Sequence, residues 1–333
     1  MTEDITQVQI DILYHLRKHS RSYFSVRMIS DKFDLSAQKT ERASAELENW
    51  GYQILRNQAG DVRYGASPDV LFPHEVTFGL DTKVLGDNVY SFDRVGSTNV
   101  IAHKYAEKEE PEGTLILAER QTAGKGRLGR SWHSPSKRGI YMSLILRPQI
   151  SPVMAPGLSL IAALSVAQAM REYPGIAATI KWPNDVLYKG RKLAGVLTEL
   201  AAEIDRVKYV VMGIGINANH DEDDFPSDLR EKASSLKIVA HREIDRIRLV
   251  KSILVNLEEH YHEYLSSGFK RLIKPIKNFS SVLGKEVAFK QNGESCVGKA
   301  VDIDAQGQLV VVIGGKSVAI SSGEISLAEN YKS

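Results

Sequence analysis

The chain has 333 residues, of which 43 are Lys or Arg and 41 are Asp or Glu, so its formal net charge is only +2. This near-balance argues against a protein that acts purely as a polycation on nucleic acid or anionic membranes. With 43% hydrophobic residues, the composition is that of a globular protein of about two or three domains. The single cysteine, Cys296, excludes an internal disulfide and a Cys-based zinc site, and it favours a reducing compartment such as the cytoplasm.

Two segments bear on secretion and membranes. The N-terminal sequence MTEDITQVQI is acidic and polar, unlike a secretory signal. The longest apolar stretch, Leu158 to Met170, is interrupted by Ser159, Ser165 and Gln168 and is too short to span a bilayer. We therefore predict that this stretch is a buried helix and that the protein has no membrane partner.

The first 65 residues have the pattern of three helices followed by a β-hairpin. Apolar residues recur at helical spacing in 5–16 and 26–33, and Ser25 and Ser36 are candidate caps of the second and third helices. Residues 52–64 contain two β-prone segments around a turn signal. This order is typical of a winged helix–turn–helix, a fold that commonly binds DNA.

Two interpretations of this N-terminal region stay open. Residues 1–70 carry nine Lys or Arg and ten Asp or Glu, so DNA binding requires positive charges gathered on one face. Lys39 and Arg42, three apart in the predicted third helix, are the candidate DNA contacts. Thr40 and Ser44 occupy positions that are usually apolar in winged helices. The alternative is a regulatory module that does not bind DNA.

The remaining chain divides into an alternating region and a β-rich tail. Residues 66–85 are predicted to be a linker that turns into the next domain. Strands and helices alternate from about residue 88 to 270, as in one α/β or α+β domain. The predicted strands are 114–118, 140–146, 179–181, 193–200 and 209–216, and the predicted helices are 99–108, 158–172 and 243–266. Short strands at 285–290, 296–301, 309–313 and 317–320, with turn signals that include Asn292-Gly293, predict a small β-barrel.

A window without acidic residues lies between Glu119 and Glu172. Its 52 positions hold eight cations: Arg120, Lys125, Arg127, Arg130, Lys137, Arg138, Arg147 and Arg171. The cations are densest in the glycine-rich segment 121–132, which we call the cationic loop, and they could converge on an anion. Gly124 to Gly129 matches G-x-G-x-x-G, but Pro135 follows too soon for a helix, which argues against a dinucleotide fingerprint. A solvated flap is the alternative.

Three further segments place polar groups at strand ends. Residues 181–185 supply an ammonium, an amide and a carboxylate, and 191–195 begin with two cations. Glycines in 213–219 suggest a ligand that lies against bare backbone, and Asn217 ends this strand. Ser97 is not on a nucleophile elbow. Together these segments predict an anionic-substrate site that performs phosphoryl or nucleotidyl transfer by electrostatic positioning rather than covalent catalysis.

These motifs resemble those of biotin protein ligases in their residues, order and spacing. The matching segments are 96–99, 124–132, 181–185, 191–195 and 213–217, and Gly323-Glu324-Ile325-Ser326-Leu327 resembles the end of the family's small barrel. The N-terminal region resembles that of the longer, bifunctional ligases, which also repress biotin-synthesis genes. The resemblance implies a winged helix–turn–helix over 1–65, a catalytic domain over 66–278 and an SH3-like β-barrel over 279–333. The resemblance also implies an overall α/β (α+β) class, with a central mixed sheet like that of class II aminoacyl-tRNA synthetases.

The resemblance also implies a two-step reaction. The carboxylate of biotin attacks the α-phosphate of ATP, which gives biotinyl-5′-AMP and pyrophosphate, and a lysine of a biotin carboxyl carrier domain then displaces AMP. Biotin, ATP and Mg²⁺ are therefore expected ligands, and operator DNA and a homodimer of the adenylate-bound protein are expected assemblies. A lipoate-type ligase and a ligand-sensing transcription factor without ligase activity are the alternatives.

The same resemblance assigns the site residues. Lys192, Arg127 and Lys125 are the expected catalytic cations. The expected biotin-binding residues are Ser97, Thr98, Asn99, Gln121, Lys125, Gly126, Arg127 and Lys192. The expected ATP-binding residues are Arg130, Trp132, Asn184 and Asn217. Asp185 would fix Lys181 or Lys192, or help to place magnesium. Lys125 stands where the family more often has Arg, which reduces bidentate recognition to a point charge.

Overall fold

A computed structural model describes residues 5–291, 294–321, 323 and 325–327. The chain divides into two compact units, Met1–Val70 and Leu71–Ser333. The first four residues, the predicted turn at Asn292-Gly293 and Glu324 of the C-terminal motif lie outside the described residues.

The N-terminal unit consists of three helices and an antiparallel hairpin, as predicted. Its elements are α1 (Gln7–Lys18), α2 (Val26–Phe33), α3 (Ala37–Asn49), β1 (Gln53–Arg56) and β2 (Val62–Ala66). Both predicted caps are confirmed, because the side chain of Ser25 accepts the N–H of Met28 and that of Ser36 accepts the N–H of Lys39.

The core of this unit explains its two unexpected polar positions. Thr40 and Ser44 are buried, and the Thr40 hydroxyl lies 2.9 Å from that of Ser30. The Ser44 hydroxyl donates to the carbonyl oxygen of Thr40 at 3.0 Å. These hydrogen bonds satisfy the buried polar groups, so the helices pack without an apolar residue at either position.

The second unit is built on a mixed seven-stranded sheet. Its strands are β3 (Val89–Val95), β4 (Leu115–Gln121), β5 (Ile140–Leu146), β6 (Thr179–Lys181), β7 (Asp185–Tyr188), β8 (Arg191–Ala202) and β9 (Val207–Ile216). The strand order is β3-β4-β5-β9-β8-β7-β6. Only β3 and β4 are parallel, and the other neighbouring pairs are antiparallel. The five predicted strands are present, whereas β3 and β7 were not predicted.

Helices cover both faces of this sheet. The helices of the unit are α4 (Pro73–Thr77), α5 (Thr98–Glu107), α6 (Ala155–Arg171), α7 (Leu236–Ala240), α8 (Arg246–Ser267) and α9 (Ile273–Phe279). Alternate residues of β5 show the two faces: Leu144 packs in the main core with α6 and α8, and Ile145 packs against α5. The short α5 leaves part of its face of the sheet uncovered by helix.

The most apolar segment is a core helix. Pro152–Arg171, which includes α6, has 20 residues and a mean hydropathy of 1.7, so it is longer than predicted and long enough to cross a membrane. However, 67% of its most apolar window is buried, and α6 packs against α8 and β8. Burial therefore identifies it as a core helix, although length alone does not.

The segment 66–85, predicted to be a linker that turns into the next domain, belongs to the second unit from Leu71 onwards. It contains α4, and Leu71, Val76 and Leu85 are buried in the main core. The carboxylate of Glu258 in α8 accepts three consecutive backbone N–H groups, from residues 83 to 85, at 2.7 to 2.9 Å. This anchor lies far along the chain, so no local pattern reveals it.

The C-terminal strands form a five-stranded antiparallel sheet in the order β13-β12-β11-β10-β14. Its strands are β10 (Glu286–Gln291), β11 (Glu294–Ile303), β12 (Leu309–Ile313), β13 (Lys316–Ile320) and β14 (Ser326–Leu327). Four of them were predicted, and β14 is too short to give a pattern. The indole N–H of Trp182 donates to the carbonyl oxygen of Gly307 at 2.9 Å, so this sheet contacts the segment before β7.

A buried ion pair joins α8 to β4. Arg246 Nη1 lies 2.7 Å from Glu119 Oε2, and the two side chains are 0% and 3% exposed. Arg246 also donates to the carbonyl oxygen of Gly139, and Glu119 accepts the N–H of Leu71. These hydrogen bonds provide the partners that buried charges require.

We predict that Arg246→Met lowers the free energy of unfolding by about 3–5 kcal/mol, because the Glu119 carboxylate is then left buried without its cation. Urea denaturation followed by circular dichroism measures the change. Arg271→Met is the control: Arg271 pairs with Glu263 but is 79% exposed, and we expect a loss below about 1 kcal/mol. Equal losses in both variants would contradict the prediction.

Candidate active site

An open cavity lies on the α5 face of the main sheet. Most of the predicted site residues line it: Ser97, Thr98, Asn99, Gln121, Lys125, Gly126, Arg127, Trp132, Asn184 and Lys192. Three other predicted residues are not among its lining residues: Arg130, Asp185 and Asn217. The structure therefore brings five of the matching segments together around one cavity: 96–99, 124–132, 181–185, 191–195 and 213–217.

Hydrogen bonds hold the N terminus of α5 at one end of the cavity. The backbone N–H of Thr98 donates to Gln121 Oε1 at 2.8 Å, and Gln121 Nε2 donates to the Ser134 hydroxyl at 3.1 Å. Ser97 is the N-cap residue, but its side chain does not cap the helix. This end of the cavity thus offers neutral hydroxyl and amide groups.

The strand glycines of β9 make room for protein side chains. A Cβ at Gly213 would lie 2.1 Å from Asn99 Oδ1, and a Cβ at Gly215 would lie 2.6 Å from the Trp132 ring. Bare backbone was expected to receive a ligand, and here it lets Asn99 and Trp132 lie against the sheet. The indole N–H of Trp132 is buried and has no hydrogen-bond partner among the described residues.

Lys192 is held from two directions. Its ammonium lies 2.7 Å from Asp185 Oδ1 and 5.3 Å from the centroid of the Trp132 ring. Beneath it, Asn217 is buried, and its amide Nδ2 donates to the carbonyl oxygens of Lys192 and Ser234 at 3.2 and 3.1 Å. Asp185 therefore contacts the side chain of Lys192, and Asn217 fixes its backbone.

The Arg127 side chain donates hydrogen bonds to two neutral oxygens. One guanidinium nitrogen donates to Asn184 Oδ1 at 2.8 Å, and the other donates to the carbonyl oxygen of Gly323 at 3.2 Å. Asn184 Nδ2 in turn donates to the carbonyl oxygen of Val196 at 2.9 Å. The C-terminal segment thus takes part in placing a cation at the cavity.

The positive charge at the cavity comes from fewer residues than the acid-free window contains. Arg147 donates to the carbonyl oxygens of residues 106 and 110, and Arg171 donates to the carbonyl oxygen of Ala178. Arg138 pairs with Asp224 at 3.1 Å. Of the eight cations in the window, Lys125 and Arg127 line the cavity, and Lys192 joins them from β8.

The described residues contain no cluster of three or more His, Cys, Asp or Glu that could hold a metal ion. Asp185 is a carboxylate beside the cavity, but Lys192 contacts its Oδ1. Mg²⁺ commonly binds through one or two carboxylates together with substrate phosphates. The described residues therefore suit a Mg²⁺ ion that binds together with a nucleotide. They do not form a site that would hold Mg²⁺ through protein ligands alone.

A pair of histidines behind the cationic loop was not predicted. His133 Nε2 lies 2.8 Å from the carbonyl oxygen of Asp224, and this contact joins the loop to the segment after β9. His220 is fully buried and stacks on Phe225 with ring centroids 5.0 Å apart. Burial lowers the pKa of His220 to about 4. His220 lies among polar residues in the sequence, so no local signal indicates its burial.

Two parts of the chain match known protein families. Residues 91–217 match the Biotin/lipoate A/B protein ligase family, and residues 282–328 match the Biotin protein ligase C terminal domain. The Bifunctional ligase/repressor BirA of Bacillus subtilis is 37% identical over 317 residues, which cover 95% of this chain and 98% of the relative. The chain belongs to the biotin protein ligase family.

Further relatives agree with membership in the biotin protein ligase family. The Bifunctional ligase/repressor BirA of Salmonella typhimurium is 31% identical over 314 residues, covering 92% of this chain and 93% of that protein. The structure of the biotin protein ligase from Aquifex aeolicus in complex with biotin and ATP matches with a TM-score of 0.63 and 31% identity, over 72% of this chain and 98% of that one. The predicted family and the mixed α/β fold with a central sheet are confirmed.

We predict that acid destabilises the protein through His220. Between its ordinary pKa of 6.5 and the folded value of about 4, the unfolded chain binds a proton that the folded chain does not. The free energy of unfolding therefore falls as the pH falls through this range, by up to about 1.4 kcal/mol per pH unit. His220→Phe removes this contribution and flattens the stability profile in urea denaturation between pH 7 and pH 5. His262→Phe, at an exposed position, is the control, and an equal flattening there would contradict the prediction.

Proposed function

We propose that this protein is an ATP-dependent ligase that converts biotin to biotinyl-5′-AMP and transfers biotin to a lysine of a biotin carboxyl carrier domain of a carboxylase. The observation that carries the proposal is one cavity with Lys125, Arg127 and Lys192 beside the hydroxyl and amide groups of the α5 N terminus. The ligase and repressor relatives, which cover nearly the whole chain, support it.

The charges of the cavity suit adenylate formation. A carboxylate oxygen of biotin attacks the α-phosphorus of ATP, and the bond to the bridging oxygen breaks so that pyrophosphate leaves. Lys125, Arg127 and Lys192 neutralise the negative charges that this step gathers, which is the main requirement of phosphoryl chemistry. Mg²⁺ bound with ATP neutralises part of the triphosphate charge.

The second step requires position rather than a nucleophile of the protein. The ε-amine of the carrier lysine attacks the acyl carbon of the adenylate, AMP leaves with its bonding electrons, and the amine loses a proton. The adenylate stays bound without a covalent link, so the absence of a nucleophile elbow at Ser97 agrees with this chemistry. Trp132 covers the adenine, and Arg130 on the exposed loop contacts the leaving pyrophosphate.

Several site residues act by placing others. Asn184 holds Arg127, Asn217 holds the backbone of Lys192, and Asp185 holds the ammonium of Lys192. Ser97, Thr98, Gln121 and Gly126 bind the ring end and chain of biotin. The residues of the cavity thus have two roles. The cations act on the reacting phosphate, and the polar groups orient the substrates.

The finer domain assignment is part of the proposal. Residues 1–65 form a winged helix–turn–helix, 66–278 form the catalytic domain with a sheet like that of class II aminoacyl-tRNA synthetases, and 279–333 form an SH3-like β-barrel. A homodimer forms when the adenylate is bound. The single cysteine, which this chemistry does not use, suits the cytoplasm.

We further propose that the N-terminal unit binds operator DNA through α3. Lys39 is exposed on this helix, whereas Arg42 lies 2.7 Å from Glu46. Arg56 of the hairpin lies 3.2 Å from Glu48. Because acidic side chains already contact Arg42 and Arg56, Lys39 supplies the uncompensated positive charge on α3 itself.

A labelling assay tests the ligase. Purified protein with biotin, ATP and Mg²⁺ should biotinylate a carrier domain, as detected with streptavidin. Lys192→Ala should lower kcat/KM by about 10²–10³-fold, because one preorganised cation is lost from the transition state. Lys277→Ala is the control, since Lys277 pairs with Asp302 and is not a lining residue of the cavity.

Three results would overturn the ligase proposal or favour an alternative. A verified acceptor that stays unlabelled would refute the ligase. Labelling with lipoate in competition against biotin would favour a lipoate-type ligase. DNA regulation that survives Lys192→Ala, in a protein without ATP–pyrophosphate exchange, would favour a ligand-sensing transcription factor.

Salt dependence tests the DNA proposal. Binding to operator DNA in the presence of biotin and ATP, followed by fluorescence anisotropy, should weaken with salt. Lys39→Ala should reduce the slope of log K against log salt concentration by about 0.9, because one phosphate contact is lost. Lys104→Ala, at an exposed position in α5, is the control. A salt-independent affinity, or equal slopes for Lys39→Ala and wild type, would contradict the proposal.

A further inference from the structure

The middle of the exposed face of α3 carries three residues, four and three positions apart. All three are exposed: Gln38, Arg42 and Ala45. The buried residues of α3 lie on the opposite side of the helix. Lys39 is also exposed, but it lies at the side of this stripe. A helix that enters the major groove turns such a stripe to the base edges and its flanks to the phosphates.

The Arg42 side chain is held by a carboxylate that is itself held. Arg42 Nε donates to Glu46 Oε1 at 2.7 Å, and Gln9 Nε2 in α1 donates to the other oxygen, Glu46 Oε2. Gln9 is only 4% exposed, and its Oε1 accepts the backbone N–H of Thr6 at 2.6 Å. The Gln9 amide therefore cannot turn over without losing a hydrogen bond, so it fixes the carboxylate and, through it, the guanidinium.

A second pair with the same spacing is looser. Arg27 in α2 lies 3.7 Å from Asp31, and the two side chains are 91% and 73% exposed. In the pair on α3, Glu46 is 31% exposed and Arg42 is 76% exposed. Exposed pairs of this spacing contribute little to stability. The main effect of the Glu46 contact is therefore to order an arginine that still reaches outwards from α3.

An ordered arginine suits the recognition of one base. Guanine presents two acceptors, O6 and N7, side by side in the major groove, and two N–H groups of a guanidinium can donate to both. The contact with Glu46 uses Nε, so bidentate donation to a base falls to the two terminal nitrogens of Arg42. Glu46 also offsets the charge of Arg42, which weakens its attraction to phosphates of any sequence.

We propose that Arg42 recognises a guanine in the major groove of operator DNA, and that Glu46 and Gln9 are positioning residues for this contact. The inference rests on the proposed operator binding through α3. Because the guanidinium is ordered before it meets DNA, the entropy cost of fixing it does not fall on the complex with guanine. Lys39 then supplies affinity for DNA of any sequence, whereas Arg42 supplies selectivity.

Selection from a random-sequence duplex library tests the base contact. Full-length protein with biotin and ATP selects its sites, and the preferred base at each position is compared between variants. Arg42→Ala should lose the preference for guanine at one position, or at one position and its symmetry mate, and keep the other preferences. Arg27→Ala and Lys39→Ala should keep the preference for guanine at that position, because neither removes the base contact.

Fluorescence anisotropy measures the selectivity on two duplexes. The first carries the selected site, and in the second the G·C pair at the position lost in Arg42→Ala is replaced by A·T. The second duplex should have a Kd about 5–150-fold higher than the first for wild-type protein, because the two acceptors of guanine are lost. For Arg42→Ala the two Kd values should differ by less than about 3-fold.

A matched pair of variants in α1 tests the positioning. Gln9→Met keeps the length of the side chain but removes the amide that holds Glu46, so Arg42 must be ordered on guanine. This cost falls on the guanine complex alone, and the Kd ratio of the two duplexes should fall by about 2–10-fold. Gln7→Met is the control, because Gln7 Nε2 donates to Asp11 Oδ1 at 2.8 Å, an exposed contact within α1. A general loss of stability changes both Kd values of one variant alike.

The outcomes separate this inference from operator binding itself. A wild-type protein that selects no common sequence overturns the proposed operator binding and this inference with it. Base preferences that are the same in Arg42→Ala and wild type, or a changed position that is not a G·C pair, overturn the inference and leave operator binding intact. Equal ratios in Gln9→Met and Gln7→Met overturn the positioning role of Gln9 and Glu46.

Discussion

The absence of side chains at Gly213 and Gly215 lets two other elements lie directly on the main sheet. Asn99, in the first turn of α5, takes the place beside Gly213, and Trp132 of the cationic loop takes the place beside Gly215. The helix N terminus, the loop and β8 therefore meet around one cavity. A methyl group at either glycine would push the helix or the loop away from the sheet, so the spacing of two glycines sets the geometry of the site.

Sequence patterns predicted the elements whose stability is largely local. The capped α2 and α3, the long amphipathic α8 and the apolar β5 and β9 all have regular periods, and they lie close to their predicted bounds. The short elements α4, α7, α9, β7 and β14 have no such signal. Contacts made elsewhere in the chain hold them, as Glu258 holds the segment after α4.

The candidate site was predictable as a set of motifs, but the role of each side chain was not. Adjacent residues contact different partners: Asn184 accepts a hydrogen bond from Arg127, and Asp185 pairs with Lys192. The acid-free window contains arginines that donate to backbone carbonyls away from the cavity, among them Arg147 and Arg171. Direction and partner depend on strand register and loop path, and a one-residue shift in register reverses the face on which a side chain lies. His220 was missed because it lies among polar residues after β9, where no local pattern indicates burial.

Arg127 and Lys192 attract an anion over different distances, because their partners differ. Lys192 and Asp185 form a dipole whose field falls off steeply, so Lys192 acts mainly on a group that already touches it. Arg127 contacts the neutral oxygens of Asn184 and Gly323, which leave its full charge visible across a Debye length of about 8 Å. In the proposed reaction, nucleotide capture therefore depends more on Arg127 than on Lys192, which acts on the substrates once they are bound. High salt would slow the encounter more than the chemistry.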